Sequence, residues 1–343
     1  MHTSLSMTKT TVPACKTRFL VISDTHSTDL LTNIHVKPTR GFRHPLPACD
    51  VVLHCGDLTN TGKIEEYRTT LDMLKEIPAE LRLVIAGNHD LSLDPEWWAN
   101  SKGPTYGWKP KGSRPMEIYE EARELWTGKE AKDAGVHFLD EGMHSFTLKS
   151  GAHFTVYASP YQPEYCGWAF PYHHYQDRFN PASEMALKNT SNIAENMVPN
   201  WPNVDIMMTH GPPYHVKDNC ASGDVGCHHL LRAVTRAKPR MHCFGHIHEG
   251  HGATMGKWKK DFVPFGVPHS SSDSGFPFTP NDIQIDRKKA AEDRAVYVDG
   301  SAGSQHELDF GKSTLFVNAA IMDKDTEPVN APFVVDMDLP LAE

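Results

Sequence analysis

Six short, continuously apolar runs punctuate the chain, at residues 18–23, 50–55, 81–86, 204–209, 240–244 and 314–319, and polar or glycine-rich residues follow most of them. Runs of this length without alternation predict strands buried on both faces of a sheet. Elsewhere the apolar positions fall at three- and four-residue steps. Ile64, Tyr67, Leu71, Leu74 and Ile77 form one such series, and Ile118, Ala122, Leu125 and Trp126 another, which predicts two amphipathic helices. A third helix is predicted from near Gly226, with Leu230, Leu231 and Val234 on its inner face. Strands alternating with helices imply an α/β layered fold, and residues 138–139, 145–149 and 154–158 read as an antiparallel meander inserted midway.

A single elaborated domain over residues 18–338 accommodates most of the 343 residues, behind an N-terminal extension of residues 1–17. Residues 257–307 are rich in Pro, Ser, Gly and charge with little periodicity, which predicts a long surface excursion or insertion, ordered only in part. Strand character returns at 314–338, so the excursion interrupts the domain instead of ending it.

Composition changes the picture at three points. Hydrophobic residues at 39% and a mean hydropathy of −0.47 describe a substantial core under a hydrated surface. The net charge of −9, without a Lys/Arg run, speaks against long duplex nucleic acid as a partner. No uninterrupted apolar run precedes residue 18, and the seven cysteines are odd in number without CxxC spacing. Together these predict no membrane anchor and a cytoplasmic protein with reduced thiols. Cys55 and Cys243 read as small core residues, and Cys220 and Cys227 match no common zinc spacing and suggest a helix start.

The candidate chemistry sits just past the strands. Asp24-Thr25-His26, Gly56-Asp57, Gly87-Asn88-His89-Asp90, His210-Gly211 and Gly245-His246-Ile247-His248 each follow an apolar run. Carboxyl ends of strands in an α/β sheet lie along one edge, so these blocks are expected to converge in one crevice. A mixture of Asp, Asn and His suits Mn, Fe or Zn better than Ca or Mg, which prefer oxygen alone. Alternate residues in Asp24-x-His26 and His246-x-His248 share a side, and the glycines at 56, 87, 211 and 245 permit turns that a side chain would obstruct.

In this order the five blocks resemble the signature of calcineurin-like metallophosphoesterases. The words Ser23-Asp24-Thr25-His26, Leu53-His54-Cys55-Gly56-Asp57, Thr209-His210-Gly211-Pro212-Pro213, Gly245-His246-Ile247-His248-Glu249-Gly250 and Leu315-Phe316-Val317-Asn318-Ala319 are similar to the branch containing the metallophosphoesterase-domain brain proteins. Class III cyclic-nucleotide phosphodiesterases are similar at a greater distance. The resemblance covers most of residues 18–252 and 314–338. It implies a four-layer α/β/β/α sandwich of two mixed sheets flanked by helices. It also places Asp24, His26 and His248 on one metal ion, Asn88, His210 and His246 on a second, and Asp57 between them. All seven positions are filled, which implies an active enzyme.

The implied reaction is hydrolysis of a small phosphodiester, with a nucleotide or cyclic nucleotide as a candidate. Two divalent ions offset the negative surface and the two aspartates, and a hydroxide bridging them attacks phosphorus. His89, beside Asn88, is the candidate to protonate the leaving oxygen, with Asp90 to orient it. His215, close after the His210 turn, is a candidate substrate contact. A phosphomonoesterase acting on a phosphoprotein or metabolite is the alternative within the class, and a low-activity scaffold the alternative outside it. His54 reads as a satisfied core histidine or a partner behind the site, and Arg40, Arg43 and His44 as a solvated loop, with contact to a substrate phosphate or base as the alternative. The cluster Trp168, Phe170, Tyr172, His173, His174 and Tyr175 is either a stacking surface for a base or a packed loop.

Overall fold

Each predicted apolar run forms a strand, because a segment apolar on both sides is stable only where both faces of a sheet are covered. The computed structural model describes residues 13–30, 40–100, 115–183, 187–260 and 275–342. In chain order the sheet strands are β1 (Ala14–Ile22), β2 (Val51–His54), β3 (Leu81–Val84), β4 (Val136–Phe138), β5 (Gly142–Thr147) and β6 (His153–Ser159). They continue with β7 (Ile206–Thr209), β8 (Met241–Phe244), β9 (Gly252–Trp258), β10 (Phe278–Asp282), β11 (Val296–Asp299), β12 (Ser313–Asn318) and β13 (Phe333–Pro340). One six-stranded sheet has the order β11-β13-β1-β2-β3-β4, and one seven-stranded sheet the order β10-β9-β12-β8-β7-β6-β5. Both are mixed. β1 to β4 run parallel, as do β6, β7, β8 and β12, whereas β13 joins β1, and β9 joins β12, in antiparallel register.

Side-chain alternation along β1 separates two cores. Phe19 and Val21 point between the sheets, where they meet Phe154, Val156, Met208 and Val317. Leu20 and Ile22 point outward, into a layer formed by α1 (Ile64–Lys75), α2 (Pro95–Asn100), α3 (Met116–Thr127) and α4 (Lys129–Asp133), with Tyr67, Leu71, Leu125 and Trp126 fully or nearly fully buried. The outer face of the second sheet carries Tyr157, Met207, Phe244 and Phe316 and is covered by Leu230, Leu231 and Val234 of α5 (His228–Ala237). The result is the expected α/β/β/α arrangement, and α6 (Arg287–Asp293) adds Ala290 to the core between the sheets.

Two elements depart from the sequence expectation. Residues 136–138 pair parallel to β3, so the predicted meander reduces to the β5–β6 hairpin. The described part of 257–307 supplies an outer strand to each sheet, β10 beside β9 and β11 beside β13, with α6 between them. Its apolar pattern is weak because these are edge strands with much exposed surface; residues 261–274 lie outside the described residues. β1 begins at Ala14, inside the predicted N-terminal extension, because Ala14 to Arg18 pair with the end of β13. All seven cysteines are free thiols. Cys55 and Cys243 are buried between the sheets, and the Cys227 sulfur accepts the Leu230 N–H at the start of α5. Among the described residues no helix is long and apolar enough to cross a membrane.

Candidate metal centre

The carboxyl ends of β1, β2 and β3 in one sheet face those of β7 and β8 in the other, and the loops leaving them are stitched together by their backbones. The Asp24 N–H donates to the Gly56 carbonyl at 2.9 Å, the His26 N–H to the Asp57 carbonyl at 3.0 Å and the Gly245 N–H to the His210 carbonyl at 3.0 Å. Asp24, His26, Asp57 and His246 all take left-handed backbone, with φ of 54°, 45°, 53° and 65°. This costs a non-glycine residue about 1–3 kcal/mol, and such strain collects at functional sites. The loops also approach too closely for side chains at two glycines. A Cβ on Gly245 would stand 1.9 Å from Asp24 Oδ2, and one on Gly87 would stand 2.4 Å from Asp57 Oδ1.

The imidazoles are held in one tautomer. A backbone carbonyl can only accept, so the ring nitrogen facing it must be the donor. His26 Nδ1 donates to the Thr59 carbonyl at 2.9 Å, His210 Nδ1 to Cys55 at 2.9 Å, His248 Nδ1 to Asp323 at 3.2 Å and His89 Nδ1 to Asn60 at 2.8 Å. In the neutral ring each bond leaves an Nε2 lone pair, the orientation that metal-binding histidines take. His26 Nε2 is buried without a hydrogen-bond partner, and His210 Nε2 stands 2.8 Å from Asn88 Oδ1, two acceptor atoms brought together as a shared cation would require.

Asp57 lies between the two groups. Its Oδ2 is 3.6 Å from His26 Nε2, and its Oδ1 is 3.4 Å from His210 Nε2. Asp24 Oδ1 is 3.4 Å from His248 Nε2 and also accepts the His246 N–H at 3.1 Å. Ligand atoms of Asp24, His26 and His248 fall within 4.8 Å of one another, as do those of Asp24, Asp57 and His210, and those of His26, Asp57 and His89. The His246 ring stands 5.0 Å from the His210 ring.

Burial by itself favours an uncharged Asp24, but the hydrogen bond and charge of His248, with His210 and His26, hold its carboxyl well below the usual range. Asp57 moves the other way, pushed well above it by burial and then by the charges of Asp24 and Asp90. Burial, followed by neighbouring imidazoles, holds His26 and His246 well below the usual histidine value, which keeps both rings neutral, the form in which an imidazole can bind a metal. At His248 burial is outweighed by the hydrogen bond and charge of Asp24, which raise the pKa; the two crowded carboxyl groups and the neutral rings of His26 and His246 are donors that divalent cations fit.

The remaining candidates separate clearly. Asp90 does not touch the His89 ring: its carboxylate accepts from the backbone N–H groups of Leu58, Thr59 and Gly87 and from the Thr59 hydroxyl, so it ties the Asp57 loop to the Asn88 loop. The His89 ring instead stacks on Trp168, 3.9 Å between centroids. His215 is turned to Asp224, its Nδ1 at 2.7 Å, and packs on Tyr214. His54 Nε2 meets the Thr25 hydroxyl at 2.8 Å in the buried layer behind the site. Arg40 pairs with Glu327, and Arg43 donates to the Ala291 carbonyl at 2.7 Å, so both hold loops. Of the aromatic cluster, Phe170 and Tyr172 are core residues and His173 stacks on Tyr175. Trp168 faces His89. The sequence reading also passed over Tyr165, which is 58% exposed with its ring 6.2 Å from that of His246.

Two mixed sheets with this donor set at one edge define a calcineurin-like phosphoesterase. Residues 17–250 match that family, and the chain belongs to it. It is 29% identical over 332 residues to metallophosphoesterase domain-containing protein 1 of Homo sapiens and of Mus musculus, an alignment covering 96% of this chain and 73% of those proteins. UPF0046 protein K07C11.7 of Caenorhabditis elegans is 29% identical over 235 residues, 68% of this chain and 64% of that protein. The crystal structure of TT1561 of Thermus thermophilus aligns with 73% of this chain and 85% of its own at 13% identity, with a TM-score of 0.35, too slight a likeness to carry an argument.

Proposed function

We propose that this phosphoesterase holds two metal ions and hydrolyses a small phosphodiester, with nucleotides and cyclic nucleotides as the candidate class. The observation that carries the reading is the position of Asp57, whose two oxygens face His26 on one side and His210 on the other. Asp24, His26 and His248 would hold one ion, Asn88, His210 and His246 the other, and Asp57 both. Manganese, iron or zinc at these positions supplies the positive charge that attracts phosphoryl oxygens and the activation of water for attack.

The chain's own residues do the rest. Asp90 fixes the loops that carry Asp57 and Asn88 relative to each other. His89 points its Nε2 towards the same space as His26 and Asp57. Burial lowers its pKa to about 4, so it waits as a neutral base. An arriving phosphate ester brings negative charge, which favours proton uptake at Nε2 and then transfer to the leaving oxygen. The seven free thiols support a cytoplasmic setting.

Hydrolysis of bis(4-nitrophenyl) phosphate and 4-nitrophenyl phosphate by the manganese-loaded chain tests the proposal. A higher kcat/KM for the diester is expected. A clear preference for the monoester would turn the reading to a phosphomonoesterase, and no turnover of either would remove the enzymatic reading.

A further inference from the structure

The loop between β6 and β7 sets the exposed ring of Tyr165 beside the metal-ligand cluster, and the backbone there is held in place. The Gly167 carbonyl accepts from Trp97 Nε1 at 2.9 Å, the Ala169 N–H donates to the Asn88 carbonyl at 3.2 Å, and the Phe170 N–H donates to Asp94 Oδ2 at 2.7 Å. Cys166 and Phe170 both take left-handed backbone, with φ of 52° and 53°. Phe170 is buried in the core, and the other two aromatic residues of the segment take different places beside the site. Trp168 is used up against His89, whereas Tyr165 stands edge-on to His246 with 58% of its surface exposed.

A tyrosine so exposed gains little from the fold, since an aromatic ring stabilises a protein mainly through its burial. Its ring is a flat apolar surface next to the residues that would grip phosphate. Resting on the proposed phosphoesterase reading, we infer that Tyr165 is a specificity-determining residue: it stacks a planar aromatic group of the ester, such as a nucleobase, while the phosphate lies at the His246 side of the site. Base–aromatic stacking tolerates any base because every base has a π face, and its loss on alanine substitution costs about 1–3 kcal/mol. Tyr165 therefore sorts esters by the presence of a ring and not by its hydrogen-bonding edge.

The test compares binding of AMP and ribose 5-phosphate to the manganese-loaded full chain by titration calorimetry. These ligands share the phosphate and sugar and differ by the base. AMP is expected to bind more tightly than ribose 5-phosphate. Tyr165→Ala should weaken AMP roughly five-fold or more, the lower bound that such stacking gives, and leave ribose 5-phosphate unchanged. Tyr165→Phe should keep the wild-type preference. Tyr297→Ala, an equally exposed tyrosine on edge strand β11, should change neither affinity. The inference is overturned if the wild type binds both ligands equally, or if Tyr165→Ala weakens both equally or neither. Binding is read without turnover, so a chain that shows the Tyr165 pattern but hydrolyses no ester overturns the proposed function alone.

Discussion

His89 and Asp90 are neighbours in sequence with separate tasks. The imidazole is clamped between the Asn60 carbonyl and the Trp168 ring with Nε2 turned to the ligand cluster. His89→Ala should lower kcat on esters with alkyl leaving groups about 10²–10⁴-fold, the range of general acid–base catalysis. It should affect nitrophenyl esters far less, because nitrophenolate leaves unaided. Equal losses in a side-by-side rate comparison would reject the role. Asp90 accepts only from groups of the Leu58, Thr59 and Gly87 segments, so Asp90→Ala strands buried N–H donors. Each such loss costs about 1–3 kcal/mol. Urea unfolding should show a stability loss of that order or more, and the rates on alkyl and nitrophenyl esters should fall together.

At the scale of elements, the loops work because two sheets bring their carboxyl edges within a side chain's thickness of each other. Gly245 shows how little room is left, since an added Cβ would collide with Asp24 Oδ2 and with Ser23 Oγ at 2.2 Å. Gly245→Ala should displace Asp24 and cost at least ten-fold in metal affinity, while far-ultraviolet circular dichroism stays that of the wild type. An alanine variant with unchanged affinity would contradict this close approach. The central strands and the convergence of the five blocks were legible in the sequence because each strand is a continuous apolar run and each block follows one directly. β10 and β11 were not, because edge strands keep exposed faces and take their register from partners far away in the chain. The partners of Asp90 were not legible for a similar reason. Adjacency to His89 suggested a pair, but the turn after Gly87 sends the two side chains to different partners. Tyr165 carried no signal at all, since its place beside His246 depends on how its loop is anchored to Asn88 and Asp94.

The whole molecule places neutral histidines in its interior. His242, fully buried, donates from Nε2 to the Thr209 hydroxyl, which itself donates to the Gly211 carbonyl. Burial pushes its pKa down to about 3, and burial likewise holds His251 at about 4. Above the unfolded value of about 6.5 both states are neutral and stability does not depend on these groups. Below it the unfolded chain takes up protons that the folded chain refuses. Stability should therefore fall by about 1.4 kcal/mol per pH unit for each histidine, from pH ~6.5 down to about 4. Urea midpoints taken between pH 7 and 5 should decline, and His242→Gln should make the decline shallower; a flat profile would contradict the assignment. Cations that bind only the folded chain add stability by mass action, about 2.7 kcal/mol at a hundred times Kd, so chelation should lower the melting temperature.

The central claim is that side chains from five strand ends grip two cations with Asp57 between them. Metal content of the purified chain, measured by mass spectrometry after loading and desalting, tests it most directly. Two ions per wild-type chain and fewer than two in a folded Asp57→Ala variant is the result the proposal predicts. Two ions retained without Asp57, or none in the wild type, would contradict it.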